Sequence, residues 1–136
     1  MSESTVSGSC LCGSVTYTAT GEQKRFYHCH CQRCRKASGT GHASNLFIDG
    51  ELIFNSGASR VKTFKLPDAT RFANTFCTEC GSRVPVFIAD MQVVFIPAGS
   101  LDDEPTLQPQ ARIFSSSKAK WSCASGGLPE FAEYPE

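Results

Sequence analysis

Three thiols and two imidazoles fall within one short stretch, His28-Cys29-His30-Cys31-Gln32-Arg33-Cys34. Ionised cysteines at C-x-C-x-x-C spacing are soft ligands suited to zinc, and an odd set of them cannot pair off into disulfides. Three protein ligands leave a tetrahedral ion with one open position, the feature that separates a catalytic zinc from a structural one. Two further groups, Cys10-Leu11-Cys12-Gly13 and Cys77-Thr78-Glu79-Cys80-Gly81, read as the two halves of a zinc knuckle. In each, a glycine directly follows the second thiol and frees the backbone to turn both side chains toward one point. Joined, the halves close an all-thiolate tetrahedron around a structural zinc. A competing pairing joins Cys31 and Cys34 to Cys77 and Cys80 as a ribbon and strands Cys10, Cys12 and Cys29. The division into four and three is favoured because it uses seven of the eight cysteines in coherent groups.

For Cys29, Cys31 and Cys34, an open catalytic site competes with a second structural zinc completed by a histidine or by Cys123. In an extended segment, residues i and i+2 share a face, so Cys29 and Cys31 point together while His28 and His30 point away. Cys34 returns to the site through a tight turn at Gln32 and Arg33. Between Gln23 and Ile48 stand five basic residues, Lys24, Arg25, Arg33, Arg35 and Lys36, and no acidic ones. A zinc held by three thiolates carries a formal negative charge, which such cations would offset while also receiving the carboxylates of a ligand. Arg33, Arg35 and Lys36 are therefore candidate substrate contacts, although each taken alone reads more readily as a surface charge. His28, His30 and His42 read as structural residues, His30 also as an acid/base group. Cys123 has no cysteine neighbour and reads as a free thiol.

What must hold these groups is a chain of 136 residues, most economically one domain with a core at about residues 6–105 and a packed C-terminal extension at 106–136. Thirteen basic against thirteen acidic residues give no net charge, which argues against nucleic acid or an anionic membrane as a partner. The N-terminus lacks the basic start and apolar run of a secretion signal, and no stretch approaches a membrane span. A cytoplasmic location is expected, where clustered thiols bind metal or do chemistry more often than they form disulfides.

The hydrophobic pattern predicts all-β structure. Val15, Tyr17 and Ala19 alternate with Ser and Thr in a half-buried strand, Gly21-Glu22 breaks it, and a second strand from Arg25 leads into the cysteine motif. Asp49-Gly50 between Leu46-Phe47-Ile48 and Leu52-Ile53-Phe54 predicts a tight hairpin. Residues 60–66, 71–76, 84–88 and 92–96 supply further short strands of a sandwich or open barrel, and Arg35 to Ser38 a helical turn ended by Gly39. Beyond the acidic turn at Asp102-Asp103-Glu104, the residues Ile113, Phe114, Trp121, Leu128 and Phe131 predict a tail packed on the domain.

Together, Cys10-x-Cys12-Gly13, Cys29-His30-Cys31-x-x-Cys34-Arg35-Lys36 with Gly39, Phe76-Cys77-x-x-Cys80-Gly81-Ser82, and the ending Ile113-Phe114, Ser117-Lys118-Ala119, Trp121, Gly127-Leu128-Pro129-Glu130-Phe131 resemble the glutathione-dependent formaldehyde-activating enzyme (GFA) family, also called centromere-protein-V-like. The resemblance covers nearly the whole chain. It implies an all-β, zinc-stapled β-tent of short antiparallel strands with two zinc ions. Cys10, Cys12, Cys77 and Cys80 would hold the structural ion, and Cys29, Cys31 and Cys34 the catalytic one. It further implies a carbon–sulfur lyase acting on thiol–aldehyde adducts, an S-hydroxymethylglutathione synthase-like activity with glutathione and formaldehyde as partners. The alternative on the same fold is a non-catalytic zinc-stabilised binding module.

Overall fold

The computed structural model describes residues 3–122 and 127–135. The elements run β1 (Ser4–Ser9), β2 (Thr16–Cys29), α1 (Gln32–Ser38), β3 (Ala43–Ser56), β4 (Val61–Lys65), β5 (Ala73–Cys77), β6 (Val86–Ile88), β7 (Val93–Pro97) and β8 (Ala111–Ile113). The main sheet has the order β1-β2-β3-β7-β6, with β8 beside β2, and β4-β5 form a separate two-stranded ribbon. Pairing is antiparallel throughout except between β2 and β8. The fold is all-β, as the sequence predicts.

Its spine is the pair β2 and β3, each 14 residues long. Along β2 the side chains of Tyr17 and Ala19 are buried with Leu46, Ile48, Val94 and Ile96, while the intervening threonines are partly exposed. This is the alternation expected of a strand with one face on the core. Two predicted interruptions are absent. Gly21-Glu22 does not break β2, and Asp49-Gly50 is not a hairpin turn but lies in mid-β3, where Gly21 pairs with Gly50. A Cβ on Gly50 would strike the Thr20 carbonyl, and one on Gly21 the Asp49 carbonyl. The glycines thus serve a close approach of two strands, a demand set by the partner strand and invisible in the local Asp-Gly signal.

β2 shares its other edge between β1, opposite residues 16–21, and β8, opposite residues 27–29. The tail therefore docks through its backbone: Ile113 lies opposite Cys29, the His30 amide donates to the Ile113 carbonyl and the Gln110 amide to that of Phe26. Of the tail residues expected to pack, Ile113 lies against the Cys29, Cys34 and Ala43 cluster, whereas Phe114, Trp121, Leu128 and Phe131 are 62, 66, 72 and 54% exposed. Hydrogen bonds to an open strand edge anchor this segment without needing those four large side chains.

Tyr17 ties the strand pair to the turn at residues 98–100 beside the first knuckle. Its hydroxyl lies 2.6 Å from Ser100 Oγ, which itself donates to the Pro97 carbonyl, so Tyr17 is the donor. Burial pushes its phenol up to about 12. With the folded value above the unfolded value of about 10, the stability carried by the neutral phenol is complete below pH ~10 and is lost as pH rises toward ~12, an effect of roughly 2–3 kcal/mol. Denaturant unfolding between pH 8 and 11.5 should show this loss in the wild type. Tyr17→Phe should start about 1 kcal/mol less stable and show a shallower alkaline decline; identical declines would contradict the assignment.

Candidate active site and metal centres

The described cysteines gather into two groups, Cys10-Cys12-Cys77-Cys80 and Cys29-Cys31-Cys34, with the sulfurs of each within 4.8 Å of one another. In the first, Cys10 and Cys12 Sγ are 3.7 Å apart. Two sulfurs each ~2.3 Å from one tetrahedral ion stand about 3.8 Å apart, whereas a disulfide would need about 2.0 Å. The spacing fits a shared ion. Gly13 and Gly81 take the left-handed φ values of 82° and 78° that turn each knuckle.

Hydrogen-bond donors surround these four sulfurs. The Val15 amide donates to Cys10 Sγ at 3.3 Å and the Glu79 amide to Cys77 Sγ at 3.4 Å. Ser14 Oγ lies 3.1 Å from Cys12 Sγ and 3.6 Å from Cys77 Sγ. Ser82 Oγ lies 3.3 Å from Cys80 Sγ while accepting from the Leu11 amide at 3.1 Å, and so links the two knuckles. The Ser82 hydroxyl is the main cause that brings the Cys80 thiol down to about 6. Burial opposes ionisation of Cys10, but the Val15 amide together with Cys12, Cys77 and Ser14 outweighs it and the thiol is lowered. Neither serine stands out by itself in sequence; the recurrence of Cys-Gly-Ser at 12–14 and 80–82 is the signal that finds them.

The second group is assembled where β2 meets α1. Cys29 ends the strand, Cys31 caps the helix by accepting from the Cys34 amide at 3.3 Å, and Cys34 is buried in the first turn. Burial raises the Cys29 thiol, and burial together with the Cys29 sulfur pushes Cys34 well above its ordinary range. Burial opposes ionisation of Cys31, but the Cys34 and Arg33 amides together with the Cys34 and Cys29 side chains outweigh it and the thiol is lowered. Three adjacent thiolates repel one another, and a divalent cation removes that conflict, so this donor set also fits a metal ion.

Among the described residues no histidine nitrogen joins either sulfur group. His28 stacks on His42 at 4.0 Å between ring centroids, with His30 at 5.1 Å from His42, on the face that alternation assigns to them. Burial lowers all three imidazoles, keeping them neutral at pH 7. Cys123, the thiol considered for completing this group, lies outside the described residues.

Cys29, Cys31 and Cys34 form one end of a cavity of about 910 Å³ that Arg33, Asn45 and Arg83 also line. Arg83 Nε donates to Asn74 Oδ1 at 2.6 Å and its guanidinium lies 5.7 Å over the Phe95 ring, with no carboxylate paired to it among the described residues. Burial lowers its pKa, and the nearby Cys34 opposes that shift. Arg35 and Lys36 are not brought to this cavity. They line a separate depression of about 210 Å³ with Gln32 and Trp121, and Arg35 donates to the Ser117 carbonyl. Arg83 and Asn45 escape sequence reasoning, although a lone arginine opening the apolar run Val84 to Ile88 is a signal of sorts.

The family model described as glutathione-dependent formaldehyde-activating enzyme matches residues 5–117. The chain belongs to this family. A crystal structure of a Rhodobacter sphaeroides protein is similar to the GFA chain in fold, with a TM-score of 0.53 and 20% identity over 78% of this chain and 98% of that one. No curated protein matches it.

Metal binding requires deprotonated thiols, so the group with strongly raised thiols loses its ion first as pH falls. A zinc-loaded sample titrated from pH 8 to 5 with a colorimetric chelator should release zinc in two phases. The phase at higher pH should be missing in Cys31→Ala, and loss of the other phase in that variant would reverse the assignment.

Proposed function

We propose that this GFA chain is a zinc-dependent carbon–sulfur lyase acting on thiol–aldehyde adducts. It is S-hydroxymethylglutathione synthase-like, with glutathione as the thiol and formaldehyde as the simplest aldehyde. The observation that carries this reading is that the three-sulfur group forms part of a cavity wall, where a ligand can reach it. Cys10, Cys12, Cys77 and Cys80 would hold a structural zinc, and Cys29, Cys31 and Cys34 a second, catalytic one. Zinc bound by three thiolates supplies an open coordination position that lowers the pKa of an incoming thiol.

The chain's own residues do the rest. Arg33 and Arg83 stand on the same cavity as the sulfurs, where they offset the negative charge there and draw in a glutathione carboxylate. Arg35 and Lys36 are reached by a peptide extending over α1, with Gln32 lining both depressions. Held this way, the thiol sulfur faces the aldehyde carbon. The sulfur–carbon bond forms as the carbonyl electron pair moves to oxygen, and the proton given up by the thiol ends on that oxygen. Thiol and aldehyde become one hemithioacetal with nothing left over, and the reverse path expels the thiol. Orientation of the two reactants is the main gain. The free state of the seven described cysteines supports a reducing, cytoplasmic setting. No helix among the described residues is long and apolar enough to cross a membrane. We assign the activity to residues 1–136 acting as one domain.

Zinc content and turnover test this together. The wild type should hold two zinc ions per chain and accelerate S-hydroxymethylglutathione formation, followed by NMR exchange. Cys34→Ser should hold one and lose at least about 100-fold in rate. Two ions and undiminished turnover in Cys34→Ser would sink the mechanism.

A further inference from the structure

Formaldehyde adds only a hydroxymethyl group to a thiol, yet the cavity beside Cys29, Cys31 and Cys34 encloses about 910 Å³, near the top of the range that holds drug-sized ligands. Its walls are apolar in a specific way. Phe47, Phe72, Phe87, Phe95 and Phe114 all line it, five of the ten phenylalanines in the chain. Phe47 and Phe95 are paired across β3 and β7 with ring centroids 5.5 Å apart, on the sheet face opposite the core residues Leu46 and Ile96. Phe114, a lining residue, is held at φ 54°, a left-handed conformation that bulky residues rarely adopt, with its side chain largely exposed. Aromatic surface collected in a concavity and left open to solvent marks a binding site.

Glutathione cannot be the occupant of this wall. Its carboxylates, ammonium and peptide groups would lose their water against phenylalanine with no partners in return. They belong at the cysteine end with Arg33 and Arg83. The aromatic wall is left to the other half of the adduct. Where the two regions meet stands Asn45, 7% exposed, whose Oδ1 is a buried acceptor with no hydrogen-bond partner. Asn45 and Phe47 are two apart on β3 and share a face, so an acceptor for a hydroxyl lies one pleat from the aromatic surface. In a hemithioacetal, the carbon that bears the hydroxyl also bears the aldehyde's organic group.

We infer that the cavity is built for adducts of a bulky apolar aldehyde, aromatic or long-chain aliphatic, with Asn45 Oδ1 accepting from the adduct hydroxyl and the apolar group lying along Phe47, Phe95 and Val86, which share one face of the sheet. This rests on the thiol–aldehyde reading and extends its substrate class beyond formaldehyde. Phe47, on the sheet face away from the core and paired with Phe95, is the specificity residue at the centre of this wall.

Calorimetry on the zinc-loaded protein with two stable adduct analogues tests the inference without turnover. S-(2-phenylethyl)glutathione should bind roughly 10- to 100-fold tighter than S-methylglutathione, the gain expected for burying a phenyl group. Phe47→Ala should erase most of that ratio and Phe47→Leu should keep most of it; equal affinities in the wild type would overturn the inference. With glutathione present, kcat/KM should be higher for phenylacetaldehyde than for formaldehyde. Preference for formaldehyde with equal analogue affinities ends the inference and leaves the lyase standing. Tight phenyl binding with turnover of neither aldehyde ends the lyase and leaves the apolar specificity. Asn45→Ala should lower kcat/KM for both aldehydes about tenfold while the ratio for the hydroxyl-free analogues holds; a collapse of that ratio would make Asn45 a structural residue and overturn its assignment.

Discussion

Mutual repulsion of crowded thiolates is the constraint on which this structure turns. Seven cysteines stand in two groups too tight for all of their sulfurs to ionise without a cation, yet the sulfurs are too far apart to be bonded. Each group is also the centre of its own small apolar cluster: Cys10 and Cys77 with Val15 and Val84, and Cys29 and Cys34 with Ala43. The protein thus has one hydrocarbon core in the main sheet and two cores made largely of sulfur. Structural zinc contributes about 10–16 kcal/mol in small peptides, comparable with the roughly 5–15 kcal/mol net stability of a whole domain. An ion at the four-sulfur group would therefore hold the first knuckle to the second with an energy on the scale of the fold itself.

The strand pair β2 and β3 converts that constraint into a site. β2 begins just after the first knuckle and ends at Cys29, so one rigid element spans both sulfur groups. β3 runs back along it and separates two environments by alternation: Leu46 and Ile48 enter the core, while Asn45 and Phe47 line the cavity. A slip of one residue would exchange the two sets, and the hydrophobic demand of the core forbids it. The chemistry is positioned by the same register that satisfies the core, and β8 braces the end of β2 where the second sulfur group begins.

Much of this was legible in the sequence because its signals are local. Cysteine spacing, the glycines after each second thiol, the Val15-Tyr17-Ala19 alternation and the helical turn closed by Gly39 each depend on a few adjacent residues. The misreadings share the opposite property. Asp49-Gly50 carries every local mark of a turn, but its conformation is decided by Gly21 on another strand. The large tail residues carry the composition of a packed segment, yet the tail is held by backbone bonds to the free edge of β2, which composition does not encode. Arg83 and Asn45 reach the cavity only through the pairing of strands distant in sequence, so neither has a local signature.

The two sulfur groups also differ in how their charge is met, and this difference fits a division of labour. Around the four sulfurs, the Val15 and Glu79 amides and the Ser14 and Ser82 hydroxyls disperse negative charge. Sulfur so dispersed is a poor nucleophile and a stable ligand, which suits a staple. Around the three sulfurs the donors among the described residues are the Cys31, Arg33 and Cys34 amides, without a serine hydroxyl, and Arg33 and Arg83 stand on the same cavity. Sulfur on a cavity wall stays within reach of an incoming group. On the proposed function, a carboxylate-bearing thiol entering the cavity would meet those guanidiniums, and binding the thiol and tuning the sulfur group would become one event.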